Sequence, residues 1–223
     1  MNLHLARDLD LPLSAVTQRL AFMGRSGSGK TYAAGKLAEE MLDAGAQVVI
    51  LDPVGNWYGL RLAANGKSPG IAIPVFGGEH GDVPLEQAAG ALVADTVVDR
   101  GISAVIDVSR FRKGQRSQFV TDFAEQLFHR MKTVRKAMHL IVEEAHVFVP
   151  QRTMHGQERL LGAMEDLVRL GRNYGIGVSL LSQRPQSVNK DALNQTEILV
   201  ALQLNGPQER AAIKAWIEGH GLP

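Results

Sequence analysis

Short apolar runs recur along the chain, separated by amphipathic stretches. The runs are Leu20–Met23, Gln47–Leu51, Ile71–Val75, Ala104–Val108, His139–Val142, Gly177–Leu181 and Ile198–Leu204. Most are continuously apolar, the pattern of strands buried on both faces. Between them, Thr31–Ala44, Leu85–Arg100, Gln115–Val134, Gln157–Arg172 and Pro207–Glu218 place apolar residues at helical spacing. Pro84 and Pro207 suit helix starts, and Gly45 and Gly101 stand where helices should stop. Asn65–Gly70 and Gly77–Asp82 are glycine-rich connectors. The alternation predicts an α/β domain, a mostly parallel sheet flanked by helices on both faces. With 223 residues, one domain over 1–223 is expected, with 1–19 as a lead-in and Gly221-Leu222-Pro223 as its tail.

The first strand runs into Gly24-Arg25-Ser26-Gly27-Ser28-Gly29-Lys30-Thr31-Tyr32 and then a helix. Strand, glycine loop and helix, with G-x-x-x-x-G-K-[ST] at the turn, is the phosphate-binding P-loop in its required context. Glycines let several backbone N–H groups point at one polyphosphate, and the helix N-terminus adds partial positive charge. Lys30 would reach the β- and γ-phosphates and Thr31 would ligate Mg²⁺. ATP and Mg²⁺ are the expected ligands, held by residues 24–32.

Leu140-Ile141-Val142-Glu143-Glu144 is an apolar strand ending in two carboxylates. Glu143 would hold Mg²⁺, and Glu144 would orient and polarise the attacking water. The pleat sends the two side chains in different directions, so one acid cannot do both jobs. His146 follows, either as a structural hydrogen-bonding residue or as a link from the γ-phosphate site to a DNA-facing loop. No second His stands at metal spacing. Gln183, at the tip of the Gly177–Leu181 run, is a candidate γ-phosphate sensor, since its amide can donate to phosphate and accept from water; a simple turn before Pro185 is the alternative.

Arg169 and Arg172 lie at i, i+3 near a helix end. They either complement the helix dipole or act as an arginine finger in a neighbouring subunit, with Arg169 preferred. Asp52 ends the second strand; it shapes the metal or water site, or it caps the following turn. Trp57 and Tyr58 either stack on a base or cover the sheet edge, the second being favoured. Arg110, Arg112, Lys113 and Arg116 form the densest basic cluster, with Lys132, Arg135 and Lys136 as a second. The first cluster is a candidate pore loop that touches DNA phosphates without reading sequence, or else a solvated loop.

Composition narrows the options. Hydrophobic content of 45% supports a large core, and 21% charged residues argue against global disorder. A net charge of +1 gives no bulk field for nucleic acid, so any DNA contact must be local. The chain has no cysteine, which removes disulfides and thiolate metal sites and fits a reducing cytoplasm. No apolar stretch approaches a bilayer span. Arg7, Asp8 and Asp10 stand where a signal peptide would be apolar, so a cytoplasmic protein is expected.

Taken together, GRSGSGKT, LIVEEAH, DPVGNWYGL and GRNYGIGVSLLSQRP followed by TEILVALQLN resemble the HerA/FtsK superfamily over about residues 15–220. The resemblance implies a RecA-like ASCE P-loop NTPase that assembles as a hexameric ring and pumps double-stranded DNA. It implies Lys30 and Thr31 for nucleotide and Mg²⁺, Glu144 as catalytic base, Gln183 as sensor, and Arg169 or Arg172 acting in trans. A homo-oligomer is implied, and within the HerA branch a nuclease partner, NurA. HerA proteins usually add an N-terminal barrel and a helical insertion, and only some twenty residues precede the P-loop strand here.

Two functions compete on the residues. One is an ATP-driven DNA translocase or helicase motor. The other is a P-loop ATPase that remodels or secretes protein, or a nucleotide-gated assembly switch. A small-molecule kinase fits poorly, because the Glu-Glu strand end suits activation of water better than of a substrate hydroxyl.

Overall fold

The computed structural model describes residues 2–63 and 65–221; the expected tail residues Leu222 and Pro223 lie outside the described residues. The chain opens with a hairpin, β1 (Asn2–Ala6) and β2 (Leu9–Pro12), and then alternates: β3 (Arg19–Met23), α1 (Lys30–Asp43), β4 (Gln47–Asp52), β5 (Val75–Gly77), α2 (Gly90–Arg100), β6 (Ala104–Asp107), α3 (Lys113–Val134), β7 (Met138–Val142), α4 (Glu158–Leu170), β8 (Ile176–Ser182), α5 (Lys190–Asn194), β9 (Ile198–Ala201) and α6 (Pro207–Gly219).

Seven strands form one sheet in the order β5-β6-β4-β7-β8-β3-β9. Every pair in it is parallel. Parallel strands need crossovers, so all seven point their C-terminal ends at one edge, where ligands bind in such sheets. One strand, β8, separates β3, which feeds the P-loop, from β7, which ends in the two acids. That inserted strand places Ser182 and Gln183 between the two halves of the site.

The pleat sorts side chains into two cores. Ala21, Met23, Val49, Leu51, Leu140 and Val142 face α2, α3 and α4. Leu20, Phe22, Val48, Ile50 and Ile141 face α1. Helices alone do not close this second face. The lead-in residues 2–12 fold as an antiparallel hairpin, and Leu3, 1% exposed, packs in the core with Leu37 and Met41 of α1. The His4 N–H donates to Glu40 Oε2 at 2.9 Å. The supposed lead-in therefore belongs to the sheet's covering layer. Among the described residues no helix is long and apolar enough to cross a membrane.

Four expected elements shift for local reasons. Ile71–Val75 is not a strand: strand pairing begins at Val75, after Pro74, which has no N–H to give a ladder. Gly70 and Ile71 instead bond to Arg61 O and Leu60 O, continuing the turn at Trp57–Arg61. The helix expected from Leu85 begins at Gly90, after a 3-10 turn at Gln87–Ala89. The helix expected to Arg172 stops at Leu170, and a 3-10 turn at Gly171–Tyr174 carries the chain to Gly175, at φ 90°. A Cβ on Gly175 would sit 2.8 Å from Lys136 O. The strand expected to Leu204 ends at Ala201; the Leu202 N–H donates to Met23 O at the end of β3, and Gln203 O already accepts from Arg25 in the P-loop. The short α5 has too few residues to show a helical apolar pattern; its Asn189 cap accepts from the Ala192 N–H at 3.0 Å.

His139 ties β7 to its surroundings. It is fully buried, with Nδ1 2.8 Å from Val16 O and Nε2 2.7 Å from Ser179 Oγ. Burial lowers its pKa to about 4, against the Val16 carbonyl, which raises it. An unfolded chain protonates this imidazole near pH 6.5 while the fold resists until about pH 4, so stability falls as pH drops through that window. The loss from this group is about 3 kcal/mol. Urea midpoints of wild type should drop steeply between pH 6.5 and 4, and those of His139→Gln should drop by clearly less.

Candidate functional site

The P-loop wraps its backbone into a cradle. Gly27 and Gly29 sit at φ 74° and 90°, where L side chains are strained. A Cβ on Gly24 would come within 2.5 Å of Ser28 Oγ. The Gly24 N–H donates to Ser182 O at 3.3 Å and the Arg25 N–H to Gln203 O at 2.9 Å, so the loop is anchored to the tips of its two neighbouring strands. Arg25 also donates to the Gln203 side chain at 2.9 Å. Ser28 Oγ is buried without a hydrogen-bond partner among the described residues. An orphaned hydroxyl inside a ring of backbone donors fits a polyphosphate. Ser26 is exposed in the same loop, and Tyr32 is 82% exposed on the first turn of α1.

Lys30 and Glu143 meet across β8. Lys30 Nζ donates to Glu143 Oε1 at 2.9 Å, with the side chains 7% and 5% exposed. Thr31 Oγ1 lies 3.4 Å from Glu143 Oε2. The indole Nε1–H of Trp57 donates to the same oxygen at 3.0 Å. Neither expected role for Trp57 holds: it is 3% exposed and faces the acid rather than a base or the sheet edge. Tyr58 lies against His80, with ring centroids 3.9 Å apart and the planes tilted by 33°.

Trp57 is delivered there by Asp52. The Asp52 carboxylate accepts from the backbone N–H groups of Val54, Gly55, Asn56 and Trp57 at 2.7–2.8 Å. Burial raises the Asp52 pKa against those donors, and the charge of Asp107 adds to the rise. Of its two expected roles, Asp52 takes the cap; its acceptor sites are filled by the turn.

Glu144 leaves the strand in the left-handed region, at φ 48° and ψ 51°. A non-glycine residue there is uncommon and costs about 1–2 kcal/mol. The twist turns Glu144 away from Glu143, so the two carboxylates diverge. His146 Nδ1 lies 3.2 Å from Glu144 Oε2 and 3.1 Å from Ser182 Oγ, and Ser182 Oγ accepts from the Arg184 N–H at 3.0 Å. The His146 approach is close but poorly aligned, so Glu144 Oε2 stays buried without a hydrogen bond among the described residues. Burial alone would raise the Glu144 pKa. The His146 contact, the charge of Lys30 and the Gln183 backbone N–H outweigh it and hold the carboxyl below its usual range. Glu144 is therefore an ionised acceptor with a free lone pair, the requirement for polarising a water. His146 reads as a link between strand tips, a role its solitary position in sequence left open. The Gln183 side chain is half-buried at the tip of β8, beside this group.

The arginines lie elsewhere. Arg169 is exposed at the end of α4. Arg172 pairs with Glu197, which also takes Arg19 Nε at 3.3 Å. Both precede β8, and its seven residues separate them from the P-loop edge by about 20 Å. Neither can reach the phosphate cradle of its own subunit. The second basic group lies at the same far edge, with Lys132 over the Phe128 ring at 4.4 Å and Arg135 over Tyr174 at 5.5 Å.

The first basic cluster is at the P-loop edge but divided. Arg110 pairs with Glu79 at 2.7 Å, both exposed, and Arg112 is exposed as the N-cap of α3. Lys113 and Arg116 instead line a cavity of about 980 Å³ that also receives His146, Arg152 and Lys190. Burial lowers the Arg116 pKa. Among the described lining residues there is no carboxylate, so this cavity is electropositive on one side of the candidate catalytic acid.

The donor set also fits Mg²⁺. Among the described residues no cluster of three His, Cys, Asp or Glu could hold a metal alone. A hydroxyl and one carboxylate with substrate phosphates is how Mg²⁺ is normally held. Thr31 and Glu143 supply that pair.

A family model described as "Helicase HerA, central domain" matches residues 5–174. Over 83 residues, 37% of this chain, it is 37% identical to a probable DNA double-strand break repair helicase HerA of Methanocaldococcus jannaschii. Over 71 residues, 32% of this chain, it is 37% identical to the corresponding Pyrococcus furiosus helicase. Those stretches are 16% and 12% of the relatives' lengths. Among solved structures, VirB4 of Thermoanaerobacter pseudethanolicus superposes with a TM-score of 0.66 at 12% identity, covering 98% of this chain and 87% of that one. The genome packaging NTPase B204 of Sulfolobus turreted icosahedral virus 2 gives 0.61 at 15% identity, over 91% and 82%. These two likenesses show the fold, a parallel α/β sheet with one strand inserted between the P-loop strand and the acidic strand.

Proposed function

The chain belongs to the HerA helicase central-domain family, and from that premise we propose that it is the ATP-hydrolysing motor of a double-stranded DNA translocase or helicase that works as a homo-oligomeric, hexameric ring in the cytoplasm. The ATPase itself follows from the family and the P-loop fold. The observation that most supports the motor reading is the joining of Lys30, Glu143 and Glu144 at one edge of the sheet, with a polar strand tip between them.

In this reading the amides of residues 24–29 and Lys30 hold the β- and γ-phosphates of ATP. Thr31 and Glu143 hold Mg²⁺, which neutralises phosphate charge when bound. Glu144 accepts a proton from the attacking water, oriented by its free Oε2. Gln183 senses the γ-phosphate, and the path through Ser182 and His146 carries its presence toward the cavity loop. Arg169 completes a neighbour's site in this reading: it is exposed in the last turn of α4 and too far from its own cradle to act there, though the same place also suits it to the helix dipole. Arg172 is already engaged by Glu197 and takes that role less readily.

DNA contact falls to the cations at the P-loop edge, with Arg110, Arg112 and Lys113 nearest the solvent and Arg116 behind them. Long duplex DNA should stimulate the ATPase, and stimulation should fade as salt rises, because the contacts are to phosphates. Arg112→Ala with Lys113→Ala should reduce DNA-stimulated turnover several-fold more than DNA-free turnover. Absence of stimulation at any salt would favour protein remodelling instead, and equal loss of both rates would remove these residues from DNA contact.

A further inference from the structure

Glu143 is a methylene longer than the aspartate usual at the metal-holding position of P-loop ATPases, and longer acids hold their carboxylates less firmly. We infer that Trp57 is a positioning residue: its indole N–H clamps Glu143 so that the longer acid presents a fixed oxygen to Mg²⁺. The inference rests on the nucleotide site proposed above.

Three observations carry it. Trp57 Nε1 lies 3.0 Å from Glu143 Oε2, with both residues buried. The indole has one donor and no acceptor, so in this dry position its N–H has a single use. The indole has little room to move: the backbone N–H of Trp57 is held by Asp52 Oδ2 at 2.8 Å within the four-donor turn, and the ring is 3% exposed in the α1-side core. Asp52, the turn and Trp57 therefore form a rigid strut from the end of β4 to the end of β7.

The strut matters because Lys30 cannot hold Glu143 throughout. Phosphates compete with Glu143 Oε1 for the Lys30 ammonium, and in a loaded P-loop the lysine reaches the β- and γ-phosphates. When Lys30 turns to the nucleotide, Glu143 loses its bond on Oε1. Trp57 on Oε2, with Thr31 beside it, then remains to keep the carboxylate in place. Partners that orient a metal-holding carboxylate typically govern metal affinity by about 10–100-fold.

The test uses the whole chain and the fluorescent nucleotide mant-ADP, titrated at a series of Mg²⁺ concentrations, with no turnover involved. Trp57→Phe keeps the ring's bulk and deletes the donor. It should leave Mg²⁺-free mant-ADP affinity within about twofold of wild type and raise the Mg²⁺ concentration for the half-maximal gain in affinity about tenfold. In a Glu143→Asp background the carboxylate no longer reaches the indole, so the same Trp57→Phe change should shift the Mg²⁺ requirement by under about twofold. Equal shifts in both backgrounds, or none in wild type, would overturn the clamp. Failure of wild type to bind mant-ADP at all would instead remove the nucleotide site, a separate outcome. A second readout needs no nucleotide and guards against a misfolded Trp57→Phe protein. In Trp216→Phe protein the one remaining tryptophan is Trp57, and Glu143→Ala should change its emission maximum. An unchanged spectrum would overturn the contact.

Discussion

Glu144→Gln should bind ATP as tightly as wild type and hydrolyse it about a thousandfold more slowly, the scale of losing a positioned base. The amide preserves shape but its nitrogen donates where a water's proton must be accepted. Among the described residues Lys30 Nζ bonds to Glu143 rather than to Glu144, and the near neighbour of the Glu144 carboxylate is His146, at 3.2 Å. Binding and turnover should therefore separate. Equilibrium binding of a labelled nucleotide beside steady-state phosphate release measures both. Retained turnover would exclude Glu144 from the chemistry. Lost binding would mean that it shapes the cradle.

Lys30→Met should have two effects, distinguishable by a second substitution. Nucleotide affinity should fall about 100-fold with loss of a charge-assisted phosphate contact. Stability should also fall, by about 3 kcal/mol, because Glu143 is left charged and buried with only Trp57 and Thr31. Adding Glu143→Gln should recover most of the stability and none of the affinity. Urea denaturation of the two proteins reads the first difference and nucleotide titration the second. If Lys30→Met is as stable as wild type, Glu143 does not depend on its ion pair.

The P-loop half of this candidate site was legible in the sequence because its pattern is local. A P-loop needs glycines, lysine and threonine at fixed offsets, and Gly24–Thr31 supply them within one turn. The two acids were readable for the same reason, as the end of a single apolar strand. The strand–helix alternation carried the sheet, and its errors fell where tertiary contacts overrule local pattern. Ile71–Ile73 look like strand but continue the turn at Trp57–Arg61. Residues 2–12 look like a lead-in but cover one face of the sheet.

What stayed hidden was long-range pairing. Trp57 and Glu143 are 86 residues apart, and no periodicity links them. Asp52 pointed toward the site, but only its four amide partners show that it builds the turn delivering Trp57. His146 could be noticed but not assigned, since its meaning depends on β8 lying beside β7. The basic stretch Arg110–Arg116 read as one patch because it is contiguous in sequence. A helix start at Lys113 divides it: Arg116 is half-buried in the cavity wall, Lys113 lines the same cavity but stays exposed, and Arg110 and Arg112 lie outside it.

A crystal structure with Mg²⁺ and a non-hydrolysable ATP analogue tests directly where the triphosphate lies relative to Lys30 and the two acids. The predicted result is a γ-phosphate within hydrogen-bonding distance of Lys30 Nζ, Glu143 released from that ammonium yet still bonded to the Trp57 indole, and Glu144 facing the phosphate from the end of the acidic strand. A nucleotide seated outside residues 24–31, or a Glu144 carboxylate turned away from the γ-phosphate, would contradict it.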